Sequence, residues 1–270
     1  MIIDAHVHIS RTAHPAMKQP PFTAEQLLAE MDGPHLVLGA ARKVNWALAQ
    51  PHPHDTIYEP DILAQHEYLA QAVAAHPHRL AGCMVANPRL GVGNCLAALR
   101  VLTGRGVRAV KLHPGTHAYY PDRAVHRLRP LLEFVTRQEL LLIVHTGDPP
   151  YAQPVQVVPL AEAFPRCRIV LAHLGTQQVS YSNQAIYVAR QHPNVYLETG
   201  WGTLPRLKDA VLAIGTKRLL HATDCPILEM GSQLRLLEVL TYRPPFGLRL
   251  PDAELENILG NNAARLLGIN

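Results

Sequence analysis

Charged and aromatic residues are scarce in this chain. Only 17% of its 270 residues are charged and 6% are aromatic, whereas 48% are hydrophobic. This composition excludes an intrinsically disordered chain and is sufficient for a large buried core. No apolar run reaches the roughly 18 residues that a membrane-spanning helix requires, so we expect no membrane association.

Cysteine is also rare, and its positions bear on the cellular compartment. The four cysteines (Cys83, Cys95, Cys167 and Cys225) are scattered and form no Cys-x-x-Cys pair. We expect them to be reduced thiols, with Cys225 a small buried residue beside Asp224. Met1 leads directly into a strand-like segment, so the sequence predicts no signal peptide and a cytoplasmic location.

Long runs of one charge are missing as well. The net charge is only +4, and the lysines and arginines are dispersed along the chain. Because no basic stripe is present, we expect no nucleic-acid partner. Among the 16 histidines, His52 and His54 lie in a proline-rich segment and are expected to be solvated. The oligomeric state is left open, and a homo-oligomer is one of the options.

Apolar strand-like runs alternate with helix-like stretches along the whole chain. The predicted strands cover residues 2–8, 35–41, 79–86, 107–113, 140–146, 167–173, 194–199 and 218–224. Eight strands with helices between them predict an α/β fold, a (β/α)₈ TIM barrel, as a single domain over residues 1–270. The alternative is an open doubly wound sheet, but no Gly-x-Gly-x-x-Gly follows the first strand.

Four of the predicted strands end in residues that bind divalent metals. The first carries His6 and His8, two later ones end in His145 and His173, and the last ends in Asp224. His145 and His173 are each followed two residues later by a glycine that lets the chain turn. A closed barrel brings both ends of the chain together at one face, so these ligands can meet there.

Strand parity sorts the neighbouring polar residues. Residues alternate between the two faces of a strand, so Asp4, His6 and His8 are expected to point inward together. We interpret Asp4 as a carboxylate that orients a ligand. His221 has the parity opposite to that of Asp224 and is therefore expected to face the helices.

The combined motifs resemble those of the amidohydrolase superfamily of metal-dependent hydrolases, in particular its amidohydrolase-2 branch. The resemblance covers nearly the whole chain. It rests on Ile3-Asp4-Ala5-His6-Val7-His8, Lys111-Leu112-His113-Pro114, Ile143-Val144-His145-Thr146-Gly147, Leu171-Ala172-His173-Leu174-Gly175, Ala222-Thr223-Asp224-Cys225-Pro226 and a C-terminal segment from Ile258 to Leu267.

The resemblance implies one divalent metal ion, Zn²⁺ by preference or Mn²⁺, at the C-terminal mouth of the barrel. By analogy, His6, His8, His145 and Asp224 would be the metal ligands. His173 would be the catalytic histidine, with Asp224 as a second catalytic group. The resemblance leaves two roles for Lys111: a carboxylated bridge between two ions, or a buried cation paired with Glu198 or Asp224.

Other residues are candidates for a substrate pocket. Arg42 and Lys43 follow the predicted second strand, and a cation there would suit a carboxylated substrate. Trp201 follows the seventh strand and is a candidate pocket wall, and His113 is a further candidate in the fourth loop.

Several functions are compatible with these residues. The leading hypothesis is a hydrolase that uses a metal-activated water molecule to attack the carbonyl of a small amide, lactone or ester. The alternative is a metal-dependent non-oxidative decarboxylase of an aromatic or unsaturated acid. A non-catalytic metal-binding barrel is the third option. A metal-dependent DNase is disfavoured, because such barrels typically carry an acidic residue where this chain has Lys111.

Overall fold

A computed structural model describes residues 1–13, 20–57, 61–176 and 178–269 of the chain. Within them lie ten strands: β1 (Ile3–His8), β2 (His35–Val37), β3 (Ala40–Arg42), β4 (Trp46–Gln50), β5 (Leu80–Ala86), β6 (Val107–Leu112), β7 (Leu141–Val144), β8 (Arg168–Leu171), β9 (Val195–Glu198) and β10 (Leu219–Leu220). Eight of these, β1 and β4 to β10, form one parallel sheet in chain order.

Hydrogen bonds between the first and last strands close this sheet into a barrel. The backbone N–H of Ala5 donates to the carbonyl of His221 at 2.9 Å, and that of His8 donates to Cys225 at 2.7 Å. In return, the N–H of Asp224 donates to the carbonyl of His6 at 2.8 Å. The prediction of a (β/α)₈ barrel is therefore confirmed, and residues from both ends of the chain meet at one seam.

The predicted second strand, residues 35–41, is wrong. These residues form an antiparallel hairpin of β2 and β3, and the second strand of the barrel is β4. Leu38 and Gly39 both have positive φ, 54° and 73°, which is the conformation of a tight two-residue hairpin turn. The strand that was missed, Trp46–Gln50, is rich in alanine and lacks the β-branched residues that mark strands in sequence.

Helices surround the barrel and connect its strands. They are α1 (Ala24–Asp32), α2 (Ile62–Gln65), α3 (Glu67–Ala75), α4 (Val92–Thr103), α5 (Pro114–His117), α6 (Val125–Arg137), α7 (Val158–Ala163), α8 (Val179–Gln191), α9 (Leu204–Ile214), α10 (Met230–Glu238), α11 (Asp252–Glu256) and α12 (Asn262–Leu267). In the part of the chain described here, none is long and apolar enough to cross a lipid bilayer.

Two layers of apolar side chains hold the barrel together. The larger layer lies between strands and helices, where α6 contributes Leu128, Leu131, Leu132 and Val135 at helical spacing. The smaller layer fills the barrel and includes Ile3, Ile143 and Leu220, with α12 packed beneath it. The interior of the barrel is thus a packed core, and a site can form only at the end of the barrel where the strands have their carboxyl ends.

Candidate active site

The carboxyl ends of the barrel strands open into a cavity of about 790 Å³. Its lining is rich in imidazole and includes His6, His8, His52, His54, Lys111, His113, His145, Asp148, Tyr151, His173, Trp201 and Asp224. The volume and the position are those of a small-molecule site in a barrel of this kind.

Two histidines of β1 and the aspartate after β10 converge on the floor of this cavity. One ligand atom from each of His6, His8 and Asp224 lies within 4.8 Å of the others. Oδ1 of Asp224 is 2.9 Å from Nε2 of His8 and 3.3 Å from Nε2 of His6. All three side chains are buried. Two imidazole nitrogens and a carboxylate oxygen in this arrangement are suitable ligands for a divalent metal ion.

Glu198, at the end of β9, orients two of the histidines. Its Oε2 is 3.1 Å from Nδ1 of His6, and its Oε1 accepts the backbone N–H of His173 at 2.6 Å. A hydrogen bond at Nδ1 leaves the lone pair of His6 on Nε2, the atom that faces Asp224. Glu198 therefore lies where a ligand-orienting carboxylate is expected. It also forms a second group of close ligand atoms with His6 and His173.

Four cavity residues have backbone conformations that are rare for residues other than glycine. His173, Thr176, Trp201 and Asp224 have φ values of 67°, 62°, 61° and 64°. Each such conformation costs about 1–3 kcal/mol, and such residues concentrate at functional sites. The predicted turns at Gly147 and Gly175 also have positive φ, 118° and 73°. The strand ends are therefore bent sharply where their polar side chains enter the cavity.

Asp224 is held on both of its oxygens. His8 bonds to Oδ1, and the indole Nε1–H of Trp201 donates to Oδ2 at 2.8 Å. Burial by itself raises the pKa of this carboxyl group, but His6, His173 and the hydrogen bond from His8 outweigh burial and hold the pKa well below its usual 3.8. Asp224 is therefore a carboxylate at neutral pH, able to bind a cation or accept a proton.

His173 stands beside this cluster. Its Nδ1 lies 3.9 Å from Oδ2 of Asp224 and 3.3 Å from Oε1 of Glu198. Within the part of the chain that the structure describes, this buried atom nevertheless makes no well-aligned hydrogen bond. Burial lowers the pKa of His173 well below 6.5; Asp224 acts in the opposite direction, and the neighbouring basic groups of His145 and Lys111 lower the pKa further. The ring is thus neutral, with a nitrogen available for a proton from a reacting group.

Lys111 rises from β6 into the same buried space and is completely inaccessible to solvent. Its Nζ is 3.3 Å from Nε2 of His6, and its ammonium forms no ion pair within the described ranges. Burial lowers its pKa, while Glu198 and Asp224 act in the opposite direction. The two acids predicted as partners therefore influence Lys111 through space, without direct contact.

His145 lies in the cavity wall, apart from the cluster of His6, His8 and Asp224. Its Nε2 is 2.6 Å from Oδ2 of Asp148, and its ring is stacked on that of His113 at 3.7 Å. Its buried Nδ1 has no hydrogen-bond partner among the described residues. The ring of His173 is 4.8 Å away. The structure thus brings His145 to the edge of the site, and its role as a fourth ligand stays a prediction.

Asp4 does not share the inward face of His6 and His8. The pairing register of β1 shifts between Asp4 and Val7, so Ile3 and Ala5 fill the barrel interior instead. Asp4 accepts hydrogen bonds from the hydroxyl of Thr223 at 2.5 Å and from two backbone N–H groups. Burial raises its pKa to about 7. It joins the first strand to the segment after the last one, where it supports the backbone that carries Asp224.

Arg42 and Lys43 are not brought to the site. They precede the barrel strand β4, because the predicted second strand is a hairpin, and so they lie near the amino ends of the strands. Arg42 forms an ion pair with Glu256, and Lys43 is exposed beside Asp32. Neither lines the cavity, whereas His113 and Trp201 do. His221 is fully buried and does not line the cavity.

Several cavity residues were not predicted as site residues, among them His52, His54 and Asp148. His52 is buried, with its ring 5.0 Å from that of His8, and His54 stacks on His52 at 4.9 Å. The expectation of a solvated side chain is therefore wrong for His52, whereas His54 is half-buried. Asp148 was not considered, although an acid three residues after a strand-end histidine was a usable signal. His52 and His54 could not be assigned to the site from the sequence, because the strand that precedes them, β4, was not predicted.

The closed barrel with His, Asp and Glu side chains at its mouth defines the class of protein, a (β/α)₈-barrel enzyme. A family model described as amidohydrolase (Amidohydro_2) matches residues 3–269, and the chain therefore belongs to this amidohydrolase family. The resemblance seen in the sequence motifs is thereby confirmed.

The individual relatives share low sequence identity with this chain. A dihydroorotase from Nitrosococcus oceani is 26% identical in a region covering 60% of this chain and 50% of that protein. The chain thus spans about half the length of this curated relative. A Pseudomonas putida protein assigned as a 2-pyrone-4,6-dicarboxylic acid hydrolase superposes with a TM-score of 0.72 at 17% identity, covering 100% of this chain and 98% of that one.

A second solved structure is a dihydroxybenzoic acid decarboxylase from Polaromonas sp. JS666 with bound manganese. It superposes with a TM-score of 0.70 at 17% identity, covering 100% of this chain and 97% of that chain. At these identities, the likeness to solved structures establishes the fold alone.

Proposed function

We propose that this chain is a metal-dependent hydrolase that attacks the carbonyl group of a small amide, lactone or ester. The observation that carries the proposal is the convergence of His6, His8 and Asp224 on the floor of the cavity, with ligand atoms within 4.8 Å of one another. His173, beside Asp224, supplies a second group able to handle a proton.

The donor set fits a divalent ion. Nε2 of His6 and of His8 both face one carboxylate oxygen of Asp224, and His145 at the edge of the site would be the fourth ligand. The buried Nδ1 atoms of His145 and His173 find no hydrogen-bond partner in residues 1–13, 20–57, 61–176 and 178–269, so these residues leave polar atoms of the site unsatisfied. Nitrogen and oxygen donors of this kind accept Zn²⁺ or Mn²⁺.

When bound, such an ion polarises a carbonyl group and lowers the pKa of a water molecule toward neutrality. Asp224, already ionised, takes a proton from the attacking water. Trp201 and His8 hold the carboxylate in place while it does so. His173 lies close enough to stabilise negative charge on the carbonyl oxygen or to pass a proton to the leaving group.

The cavity walls are consistent with a planar substrate. Trp201, Tyr151 and the stacked rings of His113 and His145 present flat surfaces around the ligand cluster. Flat aromatic and imidazole faces stack well on a ring or a conjugated carbonyl compound. A cyclic ester or amide, or an ester of an aromatic acid, is therefore the substrate type that we favour.

The second candidate is a metal-dependent non-oxidative decarboxylase of an aromatic or unsaturated acid. It is favoured by the manganese-containing dihydroxybenzoic acid decarboxylase that has the same fold. The same flat walls would accommodate an aromatic acid. Asp224 or His173 would first take up a proton from solvent and then deliver it to the ring carbon, where it replaces the carboxyl group that leaves as CO₂.

Elemental analysis of metal-loaded protein tests the site. We expect His8→Ala to bind one ion per chain fewer than the wild type, because it removes one of the three converging ligands. His78→Ala, at an exposed position outside the cavity, is the matched control and should retain the full content. Equal metal contents in the wild type and His8→Ala would refute the proposed site.

Product analysis in ¹⁸O-labelled water separates the two reactions. Incorporation of ¹⁸O into the organic product of a lactone, ester or amide indicates hydrolysis. Release of CO₂ from an aromatic acid, with no label in the organic product, indicates decarboxylation. If metal-loaded protein neither hydrolysed a set of lactones, esters and amides nor decarboxylated a set of aromatic acids, both candidate functions would be contradicted.

A further inference from the structure

A second group of metal-ligand side chains lies outside the barrel. It consists of Glu30 on α1, His35 at the start of β2 and Glu229 directly before α10. One ligand atom from each lies within 4.8 Å of the others. The three residues lie on three separate elements of the outer layer, and none of them lines the cavity of the active site.

His35 points an unsatisfied nitrogen toward this space. Its side chain is 93% buried, since only 7% of its surface is exposed. Nε2 is 3.0 Å from the backbone carbonyl of Glu30 and must carry the proton to donate to it. Nδ1 therefore holds a lone pair, and it accepts no hydrogen bond from any described residue. The contact with Glu30 holds the ring in place, and the lone pair on Nδ1 can bind a group that occupies the space in front of it.

Gly231 shows where this lone pair points. A Cβ atom at Gly231 would stand 3.3 Å from Nδ1 of His35 and 2.8 Å from Oε1 of Glu229. Both atoms thus border the same space, which the absence of a side chain at Gly231 leaves free.

The two carboxylates complement this nitrogen. Glu229 accepts the backbone N–H groups of Gly231 and Ser232 at 2.6 and 2.7 Å, which fixes its position and leaves each oxygen a further lone pair. Glu30 makes no hydrogen bond or ion pair through its side chain with any residue that the structure describes. Nδ1 of His35 forms no hydrogen bond with either carboxylate, so a cation between the three groups would bind all of them.

We propose that Glu30, His35 and Glu229 form a second divalent-cation site, of the kind that takes Zn²⁺. One imidazole nitrogen and two carboxylates supply nitrogen and oxygen donors with a combined charge of −2, and water completes the coordination. The bound cation would join α1, the β2–β3 hairpin and the start of α10. The site is independent of the proposed catalytic centre.

Equilibrium dialysis of chelator-stripped protein against Zn²⁺, followed by elemental analysis, tests this proposal. We expect two ions per chain in the wild type and one in Glu30→Gln, a variant that breaks no existing hydrogen bond. Glu25→Gln on the same helix is the matched control and should keep two ions. In Asp224→Asn we expect one ion, and in the double variant Glu30→Gln/Asp224→Asn none.

The variants separate this proposal from the catalytic one. An ion that Glu30→Gln loses and Asp224→Asn retains supports the outer site, whatever happens at the cavity. If Glu30→Gln binds as much Zn²⁺ as the wild type and Glu25→Gln, the outer site does not exist. A wild-type content of one ion that only Asp224→Asn removes leads to the same conclusion and leaves the catalytic proposal intact.

Discussion

Trp201 determines how firmly Asp224 is held, and Trp201→Phe tests this directly. The substitution keeps an aromatic ring in the cavity wall, although a smaller one, and removes the Nε1–H that donates to Oδ2 of Asp224 at 2.8 Å. Because Asp224 is 4% exposed, water cannot readily replace the lost donor. The other oxygen keeps its contact with His8.

The size of the effect follows from the charge on the acceptor. A hydrogen bond to an ionised group contributes roughly 1.5–3 kcal/mol. Since about 1.4 kcal/mol corresponds to a tenfold change in a binding constant, the loss amounts to roughly 10- to 100-fold in affinity. Losses of this range, about 10- to 100-fold, are also typical when a group that orients a metal ligand is removed.

A competition titration of Zn²⁺ against a chromophoric chelator measures this affinity without knowledge of the substrate. We expect Trp201→Phe to bind the cavity ion about 10- to 100-fold more weakly than the wild type. Trp46→Phe is the matched control, since the second tryptophan of the chain lies at the start of β4, outside the cavity lining. Affinities equal within threefold for Trp201→Phe and Trp46→Phe would refute the reasoning.

Three further predictions concern stability and the substrate. Burial lowers the pKa of His66 to about 4 from 6.5, so the unfolded chain takes up this proton first as the pH falls. The free energy of unfolding should therefore drop by up to about 3 kcal/mol between pH 6.5 and 4, and urea titrations should show a flatter profile for His66→Gln. Thr223→Val leaves buried Asp4 without its hydroxyl donor and should lower the free energy of unfolding by about 1–3 kcal/mol in the same assay. A decrease smaller than the measurement error would contradict the proposed role of Asp4 in joining the first strand to the segment after the last one. Arg42→Ala should leave KM unchanged for any substrate that is found, because Arg42 contacts Glu256 instead of the cavity; a large rise in KM would contradict this placement.

Much of the architecture could be predicted from the sequence, because it depends on local residue patterns. Apolar runs that end in His145, His173 and Asp224 mark strands buried on both faces, with polar residues only where the core ends. For seven of the eight barrel strands, the observed strand lies within or overlaps the range predicted from the sequence. The exception, β4, is alanine-rich, and a neighbouring apolar run at residues 35–41 has the stronger strand signal although it forms a hairpin.

The sequence by itself therefore determined the barrel and the ligand types at its mouth, since both follow from residue type and spacing along single strands. Only the tertiary structure decided which side chains meet. The register shift in β1 turns Asp4 away from His6, and the path of the loop after β4 carries His52 to His8. The contact of Glu198 with His6 joins residues 192 positions apart. Such contacts depend on how distant segments pack, and no local pattern contains that information.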